Sequence, residues 1–91
     1  MVAMHLDIAG KVQGVGFRFF VTRAARHLGL RGWVRNRLNG NVEALLIGEE
    51  AAVAAAIEQC RRGPPTGRVD RLDTVPAQDD ASTDFVERAT V

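Results

Sequence analysis

The sequence has 91 residues with one cysteine, no tyrosine and one lysine beside eleven arginines. Because Cys60 has no second cysteine in the chain, an internal disulfide is excluded. Cysteine and histidine are also not clustered at the spacing of metal ligands. The sequence therefore predicts a protein that holds neither a metal ion nor another cofactor.

Long apolar runs are absent as well. No run approaches the roughly 20 residues that span a membrane. The chain also does not begin with a basic segment followed by an apolar stretch, the pattern of a signal peptide. We expect no membrane association, no signal peptide and a cytoplasmic location. A chain of 91 residues, 46 % of them hydrophobic, allows one domain over residues 1–91 with a single core, and we expect a monomer.

Charge is unevenly distributed along the chain, although the net charge is only +1. Residues 1–42 carry seven basic residues against Asp7 alone, a net charge of +6, whereas residues 43–91 have a net charge of −5. A positive field of this kind attracts small anions and raises their local concentration. Most of these arginines are nevertheless expected to be ordinary solvated side chains.

The most informative segment is Gly10–Arg18, GKVQGVGFR, which lies between a strand-like pattern and a helical one. Glycine tolerates positive φ and close approach, so successive backbone N–H groups can converge on one anion. The following helix adds the positive end of its dipole, and Arg18 adds a fork of N–H donors. The segment predicts a phosphate site, with a tight turn and a solvated Arg18 as the alternative.

Two familiar nucleotide-binding loops do not match this segment. A Walker loop has a lysine and then Ser or Thr after its last glycine, whereas Lys11 comes early and Phe17 follows Gly16. A dinucleotide fingerprint requires a third glycine where Phe19 stands, and its doubly wound sheet requires a longer chain. Both differences argue against a nucleotide site.

Hydrophobic periodicity predicts the order strand, helix, strand, strand, helix, strand. The predicted strands and helices are Met4–Ile8, helix Phe17–Leu28, Leu30–Leu38, Val42–Ile47, helix Glu49–Arg62, Arg68–Val75 and a short last strand over 85–88. The first helix is expected to bury Phe20, Ala24 and Leu28. This order predicts an α+β ferredoxin-like sandwich (βαββαβ), with an antiparallel sheet of four to five strands and both helices on one face.

A second motif, Gly32-Trp33-Val34-Arg35-Asn36, is followed by glycines 40 and 48. Together with GKVQGVGFR it resembles the acylphosphatase family, whose signatures are Gly-x-Val-Gln-Gly-Val-x-Phe-Arg and Gly-aromatic-Val-x-Asn. The resemblance covers nearly the whole chain and is weakest after about Pro76. It implies hydrolysis of acyl phosphates, the mixed anhydrides of a carboxylic acid and phosphoric acid, to carboxylate and inorganic phosphate.

The resemblance also implies roles for particular residues. Arg18 binds the substrate phosphate and Asn36 orients the attacking water, so both are expected to be catalytic. The phosphate-binding loop is expected to comprise Val12, Gln13, Gly14, Val15, Gly16, Phe17 and Arg18. Taken alone, Asn36 is better interpreted as a polar residue that prepares the hairpin turn at Asn39-Gly40, and only the full motif favours the catalytic role.

Other functions are compatible with this fold. The nearest is a non-catalytic acylphosphatase-like module that binds carbamoyl phosphate or another small anion. The short chain argues against this alternative. An RNA-recognition domain has the same element order but stacks bases on aromatic residues of its central strands, and Val42–Ile47 has none. We therefore expect no nucleic acid partner. A ligand-sensing domain accounts for the fold but not for Gln13, Arg18 and Asn36 together.

Overall fold

The computed structural model describes residues 1–91 and contains two helices and five strands. In chain order these are β1 (Val2–Lys11), α1 (Phe17–His27), β2 (Arg31–Asn36), β3 (Val42–Gly48), α2 (Glu50–Arg62), β4 (Arg68–Pro76) and β5 (Phe85–Glu87). The strands form one sheet in the order β4-β1-β3-β2-β5. The predicted ferredoxin-like sandwich is confirmed. Neither helix combines the length and apolar character needed to cross a membrane.

Four of the strands pair as an antiparallel sheet, as predicted, but the fifth does not. β5 runs parallel to β2, with Gly32 opposite Phe85 and Val34 opposite Glu87, so the complete sheet is mixed. The cause is the path of the preceding link. β4 ends opposite the start of β1, at the end of the sheet where β2 also begins, so the link enters β5 from that end. Arg31, the first residue of β2, binds the Asp79 carboxylate and donates to the Ser82 carbonyl of this link.

The core lies between the two helices and one face of the sheet. Val42, Ala44 and Leu46 of β3 alternate into it and are fully buried, as the period-two pattern predicts. On α1 the most deeply buried side chains are Phe17, Val21 and Ala25, at 1 % exposure or less. The predicted stripe is therefore displaced by one position, and its members Phe20 and Leu28 pack at the margin of the core.

The opposite face of the sheet carries no helix and is covered instead by long side chains. Trp33 packs there with Leu45 and Ile47 in a second, smaller apolar cluster. The guanidinium carbons of Arg35 and Arg88 lie 4.6 and 5.1 Å from the centroid of the Trp33 ring. These cation–π contacts shield the indole and make this face compatible with water.

The Glu43 carboxylate connects three basic side chains on this open face. Glu43 accepts hydrogen bonds from His5 at 2.7 Å, from Arg35 at 2.6 Å and from Arg37 at 3.2 Å. Burial raises the pKa of the Glu43 carboxyl, but the three hydrogen bonds outweigh burial and hold the pKa below its usual value. Glu43 is therefore charged in the folded protein at neutral pH.

The lone cysteine belongs to the core, as expected. Cys60 has no exposed surface, and burial raises the pKa of its thiol to about 12. Because the thiolate is the reactive form, this thiol has no route to nucleophilic chemistry at neutral pH.

Candidate active site

The loop between β1 and α1 turns sharply at two glycines. Gly14 and Gly16 have φ of +73° and +76°, the left-handed region that residues with a Cβ rarely adopt. A Cβ added at either position would meet no heavy atom within 4 Å, so the backbone conformation and not crowding favours glycine here. The two turns place the loop against the first turn of α1.

The N-terminus of α1 is left without an internal acceptor. Its N-cap, Gly16, has no side chain to accept a hydrogen bond, and the first turn has no acidic residue. The first helical hydrogen bond is donated by the Phe20 N–H to the Gly16 carbonyl at 3.0 Å. The backbone N–H groups of residues 13–19 have no protein acceptor and remain available to a bound anion.

A cavity of about 210 Å³ lies where this loop and α1 meet the ends of β2 and β5. Its lining residues are Val12, Gly14, Gly16, Phe17, Arg18, Phe19, Asn36 and Glu87. The cavity therefore brings together Arg18 and Asn36, which the sequence pairs from two separate motifs. Gln13 and Val15, also expected in the phosphate-binding loop, do not line it.

Arg18 is the second residue of α1 and supplies the positive charge of the cavity. Its side chain is 38 % exposed, and its Nε lies 3.9 Å from Oε1 of Glu87. That distance is too long for a hydrogen bond, and Arg18 has no other ion pair. The guanidinium is thus free to donate to an incoming anion.

Asn36 is the last residue of β2, and its backbone is held by the sheet through the pairing with Val42. Its side-chain Oδ1 is the only buried side-chain polar atom in the protein without a hydrogen-bond partner. A buried acceptor without a donor costs roughly 1–3 kcal/mol, so such atoms are rare and call for a ligand or a water. Asn36 also lines the cavity, so the residue that carries this unpartnered oxygen belongs to the same site as Arg18.

The side chain of Gln13 has a partner that the sequence did not indicate. Its Nε2 donates to the backbone carbonyls of Arg37 at 2.7 Å and of Asn41 at 2.9 Å. These bonds join the loop to the hairpin after Asn36. Gln13 is thus a link between the two halves of the site rather than part of the cavity surface.

Glu87 was not identified from the sequence as a site residue. It lies on β5 opposite Val34, and since Asn36 is two residues beyond Val34, all three share the helix-facing side of the sheet. No local pattern marks Glu87, because its place in the site depends on the parallel pairing of β5 with β2. That pairing is the feature in which the sheet departs from the prediction.

A larger groove of about 690 Å³ runs between α1 and α2 and shares Gly16 and Phe19 with the cavity. It contains neither Arg18 nor Asn36, and its lining includes Arg23, whose guanidinium lies 5.8 Å from the Phe19 ring centroid. The groove is wide and open but has no unsatisfied buried polar atom. The smaller cavity is therefore the candidate for chemistry.

Comparison with known proteins identifies the family. The acylphosphatase family model matches residues 4–86. A protein from Acidiphilium cryptum (strain JF-5) called acylphosphatase is 48 % identical over 90 residues, which is 99 % of each chain. The chain belongs to the acylphosphatase family. The expected resemblance is thereby confirmed.

Solved acylphosphatase structures agree with this assignment. The crystal structure of acylphosphatase from Bacillus subtilis superposes with a TM-score of 0.93 at 34 % identity and covers 97 % of this chain and 99 % of that one. Full-length HypF in its phosphate- and nucleotide-bound form matches with a TM-score of 0.90 at 30 % identity, over 98 % of this chain but 12 % of that protein. The acylphosphatase fold therefore occurs in proteins of this size and inside a much larger one.

Proposed function

We propose that this chain hydrolyses acyl phosphates to a carboxylate and inorganic phosphate, with Arg18 and Asn36 as the catalytic residues. The observation that carries the proposal is that Arg18, whose guanidinium makes no hydrogen bond, and Asn36, whose buried amide oxygen has no partner, line one small cavity at a helix N-terminus. Membership of the acylphosphatase family supports the same reaction.

The phosphoryl group of the substrate binds at the loop of residues 12–18. The backbone N–H groups of residues 13–19 have no protein acceptor, and several of them can donate to one phosphate oxygen each. Arg18 donates to the same group through its guanidinium, a charge-assisted contact. The buried side chains of Val12 and Phe17 hold the loop on the core, so these residues serve the site through their backbone.

The attacking water binds at Asn36. Its Oδ1 accepts a hydrogen from the water, which leaves a lone pair of the water oxygen free to face the phosphorus. Because phosphoryl transfer proceeds in line through a loose transition state, positioning of this kind is a large part of the catalysis. The backbone of Asn36 is fixed in β2, so the amide needs little reorganisation to act.

The chemical step requires no further acid, base or metal. The bond from the water oxygen to phosphorus forms as the bond from phosphorus to the acyl oxygen breaks, and the carboxylate leaves with the electron pair. The conjugate acid of that leaving group has a pKa of about 4, so it departs without protonation. A phosphate oxygen takes the proton of the water. Arg18 and the backbone dipoles stabilise the charge that a metal ion stabilises in other phosphoryl-transfer enzymes.

We further propose that residues 1–91 act as one domain, as a monomer in the cytoplasm, with acyl phosphate as substrate and phosphate as product. Both helices pack on one five-stranded sheet around a core cluster of 16 residues, which supports a single domain. The alternative, a module that binds carbamoyl phosphate or another small anion without turnover, is less favoured. Acylphosphatases of nearly the same length are among its relatives.

The direct test is release of inorganic phosphate from acetyl phosphate and from benzoyl phosphate by the purified protein. Hydrolysis well above the spontaneous rate, with phosphate as a competitive inhibitor, is the expected result. Binding of phosphate in calorimetry without any turnover would favour the non-catalytic module. The absence of both binding and turnover would overturn both functions.

A further inference from the structure

A carboxylate lies inside the cavity that is proposed to bind phosphate. Glu87 lines it together with Arg18 and Asn36, and its side chain is 42 % exposed. The only charged group within ion-pair distance of Glu87 is Arg18, and the only one within that distance of Arg18 is Glu87. An anion site with a fixed negative charge beside its one guanidinium requires an explanation.

The geometry of the pair is loose. The Nε of Arg18 and Oε1 of Glu87 are 3.9 Å apart, beyond hydrogen-bond distance, and both side chains are more than a third exposed. Exposed ion pairs of this kind contribute little to stability, so the contact is easily broken. The pair therefore contributes little to the stability of the fold. Arg18 can exchange Glu87 for another anionic partner at little cost.

The position of Glu87 in the fold strengthens this interpretation. β5 has only three residues, of which Phe85 is fully buried and anchors the strand in the core. Glu87 is opposite Val34 and therefore faces the cavity and not the open side of the sheet. A carboxylate at this position repels a bound phosphate and also attracts the guanidinium that the phosphate needs.

We propose that Glu87 is an internal competitor for Arg18 that sets the affinity of the site for phosphate and for acyl phosphates. In the empty site Glu87 is the anionic partner of Arg18, and the phosphoryl group of the substrate displaces it. After hydrolysis Glu87 opposes the retention of inorganic phosphate and favours its release. This inference rests on the proposed function, since it takes the cavity as the phosphate site.

The test is the isosteric variant Glu87→Gln, which removes the charge and keeps the shape. We expect it to bind inorganic phosphate about three- to tenfold more tightly than the parent, the range for one partly screened carboxylate near a phosphate. Calorimetry gives the dissociation constant, and competitive inhibition of acetyl phosphate hydrolysis gives an independent value. The KM for acetyl phosphate should also fall, as the dissociation constant for phosphate does.

Two further variants keep the result interpretable. Glu87→Ala removes the carboxylate together with any hydrogen bond that a glutamine could make, and we expect it to tighten phosphate binding as well. Glu58→Gln makes the same charge change at an exposed position on α2 that does not line the cavity, and we expect it to leave phosphate affinity at the parental value. Thermal unfolding confirms that each variant is folded.

The outcomes separate this inference from the proposed function. If the parent binds phosphate and hydrolyses acetyl phosphate but Glu87→Gln and Glu87→Ala bind phosphate no more tightly, Glu87 is not a competitor and only the inference fails. Weaker binding in both variants would also overturn it and would make Glu87 a residue that positions Arg18. If the parent neither binds phosphate nor turns over substrate, the proposed function itself fails.

Discussion

The side-chain amide of Gln13 donates a hydrogen bond of 2.7 Å to the backbone carbonyl of Arg37 and connects the loop before α1 to the chain immediately after β2. A second bond of 2.9 Å reaches the carbonyl of Asn41 on the far side of the turn. Arg18 and Asn36 belong to different elements, and Gln13 joins the loop that precedes the first to the turn that follows the second. We therefore expect the relative position of the proposed phosphate-binding and water-binding groups to depend on this side chain.

Replacing Gln13 by alanine should affect both stability and activity. The variant loses two hydrogen bonds, each worth roughly 0.5–1.5 kcal/mol, so we expect the free energy of unfolding to fall by about 1–3 kcal/mol. Loosening the loop should lower kcat/KM by about tenfold, because misplaced catalytic groups lose proximity. Urea unfolding and acyl phosphate kinetics measure the two effects. Gln78→Ala, at an exposed position without hydrogen bonds, is the control and should match the parent in both.

Local patterns predicted most of the fold. The alternation in β3 and the Asn39-Gly40 pair predicted the β2–β3 hairpin, because strand period and turn chemistry act over a few residues. The direction of β5 could not be predicted in the same way. It depends on the path of the link after β4, which crosses to the opposite edge of the sheet, where Asp79 and Ser82 contact Arg31. These contacts join residues that are distant in sequence.

The candidate site, like the fold, could be predicted from the sequence only in part. Arg18 and Asn36 were predicted because each lies in a recognisable motif, and the structure brings both to one cavity. Gln13 was expected to contribute to the loop, yet its side chain bonds to a hairpin more than twenty residues away. Glu87 has no motif, since its position depends on the pairing of β5. Sequence reasoning predicted two residues that line the cavity, but neither the hydrogen bonds of Gln13 nor the presence of Glu87.

The stability of the protein should depend on Glu43 at acid pH. Burial raises the pKa of its carboxyl, but hydrogen bonds from His5, Arg35 and Arg37 hold it below the ordinary value. A group with a lowered folded-state pKa stabilises the fold above its unfolded pKa, and this contribution is lost as pH falls through the folded value. We expect the free energy of unfolding to decline from about pH 5 downward, and Glu43→Gln to decline less steeply.

Urea unfolding at a series of pH values from 7 to about 2.5 measures this effect across the range in which carboxylates titrate. Glu58→Gln, which removes an exposed carboxyl without an ion pair, should retain the parental pH dependence. Parallel curves for the parent and Glu43→Gln would show that other carboxylates account for the acid sensitivity.

Hydrolysis should proceed without a divalent metal ion. In the proposed mechanism Arg18 and the loop N–H groups stabilise the phosphoryl charge, and no step passes through a metal. Dialysis against a chelator should therefore leave the rate of phosphate release from acetyl phosphate within about twofold of the untreated protein. A loss of activity that added magnesium restores would contradict this mechanism.

Arg18→Gln should reduce both phosphate affinity and turnover. A charge-assisted contact with phosphate is worth about 1.5–3 kcal/mol, so we expect phosphate to bind roughly ten- to a hundredfold more weakly. The side chain is 38 % exposed and its one ion pair is loose, so the variant should remain folded. Arg23→Gln removes the same charge from the same helix outside the cavity and is the matched control. Calorimetry with inorganic phosphate decides the result, and equal affinity in Arg18→Gln and the parent would remove Arg18 from the site.

Asn36→Ala should separate catalysis from binding. A residue that orients water acts mainly in the transition state, so we expect phosphate affinity within a few-fold of the parent and a kcat lower by about a hundredfold or more. Because Oδ1 of Asn36 has no protein partner, its removal breaks no hydrogen bond and should not lower the free energy of unfolding. Asn39→Ala provides the contrast, since Asn39 Oδ1 accepts a 2.9 Å bond from the Asn41 N–H in the turn. That variant should lose stability and keep its kcat, so the two profiles distinguish a water-binding residue from a turn residue. Near-parental kcat in Asn36→Ala, or a stability loss like that of Asn39→Ala, would assign Asn36 to the hairpin instead.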